Sequence, residues 1–114
     1  MSVYIKNIAH EKELSLADQV VVVPGQIVSR TLAQNKFVSI TLFAFSQGEE
    51  ISTHQSEGDA MVTVLSGTGR LTVDGTEHIV EAGQTLVMPA HKPHAVYAVE
   101  DFKIMLTVVF PCEP

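Results

Sequence analysis

The sequence predicts an all-β domain, a sandwich or barrel of antiparallel strands, on three observations. From Gly48 onward, turn residues recur about every six to ten residues and separate short apolar segments. Many of these segments are rich in β-branched residues and alternate between two faces. No stretch has apolar residues at the helical spacing of three or four. The 114 residues, 46 % of them hydrophobic, suffice for one domain around one core.

The strands are predicted in chain order from their turn signals. A short strand is predicted at Val3 to Ile5, and the β-branched run Val20 to Val23 ends at the turn Pro24-Gly25. Phe37 to Phe45 is the longest strand candidate. Asp74-Gly75 predicts a tight hairpin, because glycine tolerates positive φ. The other predicted strands are Gln26 to Leu32, a short segment at His54, Ala60 to Leu65, Leu71 to Val73, His78 to Val80, Thr85 to Met88, His94 to Val99 and Lys103 to Phe110.

Charge and composition argue against several functions. Seven basic and thirteen acidic residues give a net charge of −6, so the chain has no attraction for nucleic acid or for an anionic membrane surface. Its apolar runs, such as Val20 to Val23, are far too short to span a bilayer. The N-terminus shows no secretory signal. The single cysteine, Cys112, cannot form an internal disulfide, and a cytoplasmic protein is expected.

Two segments of the sequence share one pattern. Gly48 to Gly67 begins with a glycine, carries His54 in a short strand, and continues through a polar turn into an apolar strand. Gly83 to Ala98 also begins with a glycine, passes through a strand and a proline, and places His94 at the start of the next strand. Each segment is therefore a strand, a turn and a strand with one histidine near the turn.

Together the two segments resemble the two-motif signature of the cupin superfamily. The first motif, G-x5-H-x-H-x3-4-E-x6-G, is matched by Gly48, His54 and Gly67, and the second, G-x5-P-x-G-x2-H-x3-N, by Gly83, Pro89 and His94. The resemblance covers about Gly25 to Phe110. It implies a double-stranded β-helix, or jelly-roll barrel of two antiparallel sheets. The domain is then 1–114, with motif one at about 48–67, motif two at about 83–98, and 1–24 as an N-terminal strand or arm.

The departures from the signature bear on chemistry. Four positions of the signature hold other residues. Ser56 stands at the second histidine, Ala60 at the glutamate, His91 at the second-motif glycine and Ala98 at the asparagine. In the family, three histidines and a glutamate hold a divalent transition metal. The resemblance therefore implies His54 and His94 as metal ligands, two where sites usually have three or four. The expected cofactor is nickel, zinc, iron or manganese, weakly held, or else no cofactor.

The same resemblance places the inward faces of these strands opposite one another across a cavity. Side chains alternate along a strand, so if Ala60 points inward, Val62 does too. In the same way, if His94 points inward, so do Val96 and Ala98. The predicted ligand-binding residues are Ser56, Ala60, Val62, His91, Val96 and Ala98. Simpler interpretations remain open: the two histidines hydrogen-bond in a metal-free pocket, Ser56 is a turn serine, and His91 is a turn residue at positive φ.

Three classes of function stay open. The favoured one is a small-molecule-binding protein with a degenerate metal site in the barrel cavity. The second is a metal-dependent enzyme of the dioxygenase or isomerase type that uses His54 and His94. The third is a structural or assembly module without a ligand. No catalytic residue is assigned, because the fold alone does not choose among these classes.

A homodimer is also predicted. Both faces of the strand Phe37 to Phe45 are apolar, with Phe37, Phe43 and Phe45 on one of them. A sandwich this small has little material to cover both faces, and exposed apolar patches of that size mark interfaces. The expected partners are thus a second copy of the chain and a small-molecule ligand, with no nucleic acid and no membrane.

Overall fold

The structure, a computed structural model, describes residues 3–111 and contains nine strands in this range. The strands are β1 (Ile27–Gln34), β2 (Val38–Phe45), β3 (Glu50–His54), β4 (Asp59–Ser66), β5 (Thr68–Val73), β6 (Thr76–Glu81), β7 (Thr85–Met88), β8 (His94–Ala98) and β9 (Phe102–Val109). The helical content of the described residues is a single 3-10 turn, Leu16–Gln19. Cys112 lies outside the described residues.

Two antiparallel sheets confirm the predicted fold class. One sheet has five strands in the order β1-β2-β9-β4-β7, and the other has four in the order β3-β8-β5-β6. Apart from the hairpins β1-β2 and β5-β6, neighbours in each sheet come from distant parts of the chain, as in a jelly roll, whose chain passes repeatedly between two facing sheets. Only Gly67 separates β4 from β5, so the chain crosses from one sheet to the other at this residue.

The main core lies between the sheets and follows the alternation of the strands. In β4 the side chains of Ala60, Val62 and Val64 are buried, whereas Met61 on the opposite face is 37 % exposed. In β8 the buried residues are likewise every second one, and His94 begins the series. The period of two therefore predicts correctly which residues of β4 and β8 point inward.

The hairpin between β5 and β6 also agrees with its sequence signal. Asp74 and Gly75 have φ values of 49° and 85°, and Val73 pairs with Thr76 across the two-residue loop. Two successive residues at positive φ match the right-handed twist of the strands.

The N-terminal segment covers the outer face of β2. Val20, Leu42 and Ala44 are buried in a second apolar cluster, to which Ile8 and Leu16 also belong. Both faces of β2 are thus covered within one chain, and the reason given for a homodimer loses its force; the dimer itself stays a prediction.

One strand prediction at the N-terminus is wrong. The residues Val3, Tyr4 and Ile5 are exposed and form no strand. In this segment, Lys6 is the residue that donates its backbone N–H to the Leu32 carbonyl on the edge strand β1. A β-branched pair with one aromatic has strand propensity, but propensity without a paired neighbour and a covered face does not form a strand. Among residues 3–111 no helix is long and apolar enough to cross a membrane.

Candidate functional site

A cavity of about 240 Å³ lies between the two sheets. Side chains from six strands line it, and most of them are apolar. The polar lining residues are His54, Gln55, Ser56 and His94. The apolar lining residues are Phe43, Ile51, Ala60, Val62, Met88, Val96, Ile104, Leu106 and Val108.

A β-bulge turns His54 into the cavity. Ile51 pairs with Val96 and His54 pairs with His94, so three residues of β3 advance against two of β8. Ile51 and His54 are an odd number of residues apart, and a regular strand would point them to opposite faces. Both line the cavity because the extra residue resets the alternation, which is a common use of bulges beside functional sites.

The two histidines meet at their Nε2 atoms. These atoms are 3.1 Å apart, and the rings stand edge to face with centroids 4.3 Å apart. His94 is 3 % exposed, whereas His54 is exposed. The pair therefore reaches from the buried interior to solvent.

Backbone carbonyls fix the orientation of both rings. His54 Nδ1 donates to the Ser52 carbonyl at 3.0 Å, and His94 Nδ1 donates to the Lys92 carbonyl at 3.2 Å. Because a carbonyl oxygen only accepts, each Nδ1 carries the proton, and each neutral ring keeps a lone pair on Nε2. Two lone pairs then converge at the site. Such an arrangement is stabilised by an electrophile between them: a proton, a hydrogen-bond donor or a metal ion.

The environment of His94 disfavours its charged form. Burial lowers the pKa of His94 below the ordinary 6.5, and the neighbouring His54 imidazole lowers it further. The hydrogen bond to the Lys92 carbonyl acts in the opposite direction and is the smallest of the three effects. His94 is thus kept neutral. A histidine must be neutral to bind a metal ion or to accept a hydrogen bond.

This lowered pKa predicts a pH dependence of folding stability. In the unfolded chain His94 protonates near pH 6.5, whereas in the folded protein it protonates only at lower pH. The unfolded state then binds more protons, so stability falls as pH drops below about 6.5. Thermal unfolding from pH 8 to pH 5 should show a steeper loss in the parent than in His94→Gln. Parallel curves for the two proteins would contradict the assignment.

Hydrogen bonds tie the loop after β3 to the loop before β8. His91 donates its backbone N–H to the Ser56 carbonyl at 2.9 Å, and Ala90 donates to Asp59 Oδ1 at 2.8 Å. Ser56 Oγ accepts from the Gly58 N–H at 3.2 Å, so this hydroxyl stabilises its own turn while the residue lines the cavity. The segments that directly follow His54 and directly precede His94 are thereby held together.

The structure brings most of the sequence-predicted site residues together. Ser56, Ala60, Val62 and Val96 line the cavity with the two histidines. Two predicted residues do not line it. His91 is exposed, at φ 65°, and contributes its backbone N–H to the loop contact. Ala98 is fully buried, but it pairs with Gly69 at the end of the barrel that the rings of Phe45 and Phe102 fill.

Seven lining residues were not found from the sequence. They are Phe43, Ile51, Gln55, Met88, Ile104, Leu106 and Val108. A signal existed for those on β9, since Phe102, Ile104, Leu106 and Val108 alternate as an apolar face. No signal existed for Ile51, because the bulge that places it beside His54 is not visible in the spacing.

Comparison with known proteins decides the family. The cupin domain family matches residues 41–110, more than half of the chain. The chain belongs to the cupin superfamily. Cupins often bind metals, and this chain has a histidine pair at its barrel cavity. No curated protein matches the chain.

Solved structures of this cupin's relatives agree with the assignment. A conserved protein of unknown function from Streptococcus pyogenes is 48 % identical, covers 98 % of each chain and has a TM-score of 0.95. A cupin superfamily protein from Desulfitobacterium hafniense is 31 % identical, with 96 % of this chain and 100 % of that chain covered and a TM-score of 0.91. A cupin 2 conserved barrel domain protein from Leptotrichia buccalis is 41 % identical over 84 % of this chain and 47 % of that one, with a TM-score of 0.82.

The four ligand positions of the first and second cupin motifs all line the cavity. They hold His54, Ser56, Ala60 and His94. Among residues 3–111, no group of three or more His, Cys, Asp or Glu side chains is placed to hold a metal ion. This cupin has therefore kept the cavity and two imidazoles, and it has a hydroxyl and a methyl group at the other two positions.

Proposed function

We propose that this cupin binds a small molecule in the barrel cavity, with the His54–His94 pair as the polar end of the site. The observation that carries the proposal is the convergence of two Nε2 lone pairs at one end of a mostly apolar cavity of about 240 Å³. Ligand sites are commonly concave and apolar, with a few polar groups that orient the ligand. The histidine pair supplies such groups, and backbone carbonyls hold it in place.

The position of Ala60 supports this proposal. A glutamate at this position would add four non-hydrogen atoms to the cavity wall, three of which form a carboxylate. Alanine leaves that space to a ligand and leaves the wall uncharged. Among the described lining residues, none is Asp, Glu, Lys or Arg.

The histidine pair fits one side of a transition-metal shell. Two nitrogens bound to one ion at about 2.0–2.1 Å are at most about 4.2 Å apart, and the Nε2 atoms here are separated by 3.1 Å. Metal-binding histidines usually donate their other ring N–H to a carbonyl or carboxylate, which orients the ring, and both rings here do so. Nickel, zinc, iron or manganese would then be held weakly, with water or the bound molecule as the remaining ligands.

The second candidate function, a metal-dependent enzyme, rests on the same convergence of lone pairs. A bound ion would act as a Lewis acid and polarise an oxygen of the bound molecule. In that case His54 and His94 hold the ion, and the apolar walls orient the substrate and exclude water. Neither histidine specifies which reaction would be catalysed. The metal content of protein purified without added metal separates this candidate from the metal-free one.

A fragment screen with a blocked cavity tests the proposed function. Fragments of about 8–15 non-hydrogen atoms are screened by ligand-observed NMR against the parent and against Ala60→Phe. A benzene ring fits a cavity of about 150 Å³, so the new phenyl group fills much of this one. Fragments that bind the parent are expected to lose binding to Ala60→Phe.

The matched control changes the neighbouring residue on the opposite face. Met61 is 37 % exposed and points out of the barrel, so Met61→Phe adds a ring outside the cavity. This variant should bind the same fragments as the parent. Hits that persist in Ala60→Phe, or a screen without hits, would overturn cavity binding. Thermal unfolding of each variant shows that it is folded.

A further inference from the structure

We infer that the ligand of this cavity has a hydrocarbon body about the size of one six-membered ring and a single polar end. The inference rests on the proposed function and names the class of molecule that the site takes. Three features of the described cavity lead to it: its volume, the chemistry of its walls, and the location of its polar groups.

The volume sets the size of the body. A cavity of about 150 Å³ accepts benzene, so about 240 Å³ accepts one six-membered ring with one or two small substituents. Two fused rings exceed this space unless part of the molecule stays outside. Exposed His54 lies at the solvent side of the cavity. A substituent attached to the polar end of the ligand would extend into solvent at this point.

The walls exclude polar substituents on the body. The five-stranded sheet contributes Phe43, Ala60, Val62, Met88, Ile104, Leu106 and Val108, none of which offers a hydrogen bond. Across from them stand Ile51 and Val96. A hydroxyl or carboxylate pressed against these side chains would lose its water without gaining a partner. Sugars and molecules with polar groups at both ends are therefore poor ligands.

The polar groups occupy one region only. His54 ends β3, Gln55 and Ser56 follow directly in the chain, and His94 pairs with His54. The Nε2 atoms accept, so a hydroxyl of the ligand donates to one of them. The ligand thus enters with its hydrocarbon body toward Phe43 and Ile104 and its polar end toward the histidine pair.

Three ring compounds of nearly equal size test the class. p-Cresol carries one hydroxyl and one methyl group, hydroquinone replaces the methyl with a second hydroxyl, and 4-hydroxybenzoate replaces it with a carboxylate. Isothermal titration calorimetry on chelator-treated parent protein should show p-cresol binding. Hydroquinone should bind about tenfold to a hundredfold more weakly, because either orientation buries one hydroxyl without a partner. The charged 4-hydroxybenzoate should bind more weakly still.

The polyol myo-inositol, a six-membered ring with a hydroxyl on every carbon, provides a further contrast and should not bind. Hydroquinone or myo-inositol binding as tightly as p-cresol, with loss in Ala60→Phe, would overturn the ligand class and leave cavity binding intact. If none of the four compounds binds while fragments from the screen do, the class is also overturned. If nothing binds in a cavity-dependent way, the proposed function itself fails.

The orientation has its own readout. His54→Ala removes one acceptor at the polar end, so p-cresol should bind this variant about threefold to tenfold more weakly. Toluene, which has no hydroxyl, should bind the parent and this variant equally. Equal losses for both compounds would mean that His54 shapes the cavity rather than receiving the hydroxyl, and would overturn the orientation.

Discussion

The double variant Ser56→His, Ala60→Glu is expected to bind nickel or zinc at least about 100-fold more tightly than the parent. Loss of a hydrogen-bond partner that only orients a metal ligand costs about 10–100-fold in metal affinity, and this variant adds two direct ligands. Both positions line the cavity beside the histidine pair, and the substitutions restore the first-motif ligands of the cupin family. Calorimetric titration of chelator-treated protein measures the change.

The single variants and an outward-facing control show which position supplies the gain in metal affinity. Ala60→Glu should give most of the gain, since Ala60 is 2 % exposed and points into the cavity. Ser56→His should add less alone, because Ser56 Oγ takes part in the turn with Gly58. Met61→Glu places the same carboxylate on the other face of β4 and should leave metal affinity unchanged. A double variant no better than the parent would show that positions 56 and 60 do not reach a common ion.

Gly67→Ala is expected to destabilise the protein far more than Gly75→Ala. Both glycines have positive φ, 78° and 85°, so each substitution carries a backbone cost of about 1–2 kcal/mol. A Cβ on Gly67 would also lie 2.1 Å from the Asp101 carbonyl oxygen, whereas a Cβ on Gly75 meets nothing within 4 Å. The loss at Gly67 should therefore be at least about 3 kcal/mol, in the range of severe backbone clashes.

Urea unfolding of the two variants measures this difference, provided that the slope with denaturant is unchanged. Gly67 lies where the chain crosses between the sheets, and a shift there would displace β4 and β5 together. Equal losses for the two variants would mean that the crossing moves away from Asp101 at no cost. In that case the close approach would not be what requires glycine at the end of the first motif.

The fold and the inward faces were predictable from local pattern. Turn residues separate the strands, and Asp74-Gly75 specifies its hairpin because a two-residue loop needs positive φ twice. The alternation in β4 placed Ala60 and Val62 on the buried face. Both signals are local, since they depend on the backbone of a few successive residues. The motif spacing further identified the family, which the match over residues 41–110 shows.

The sequence by itself determined the all-β class, the two histidines and the small residues at the other two ligand positions. The tertiary structure alone decided how they meet. The bulge in β3 that turns His54 inward depends on pairing with β8, forty residues later in the chain. Likewise, the N-terminal segment that covers β2 forms no strand of its own and finds its place only on the finished sheet. Ala98 follows the predicted alternation but does not line the cavity, and its strand partner Gly69 lies against the Phe102 ring. Such long-range contacts leave no local period in the sequence, so alternation predicts which face a residue takes but not what it meets there.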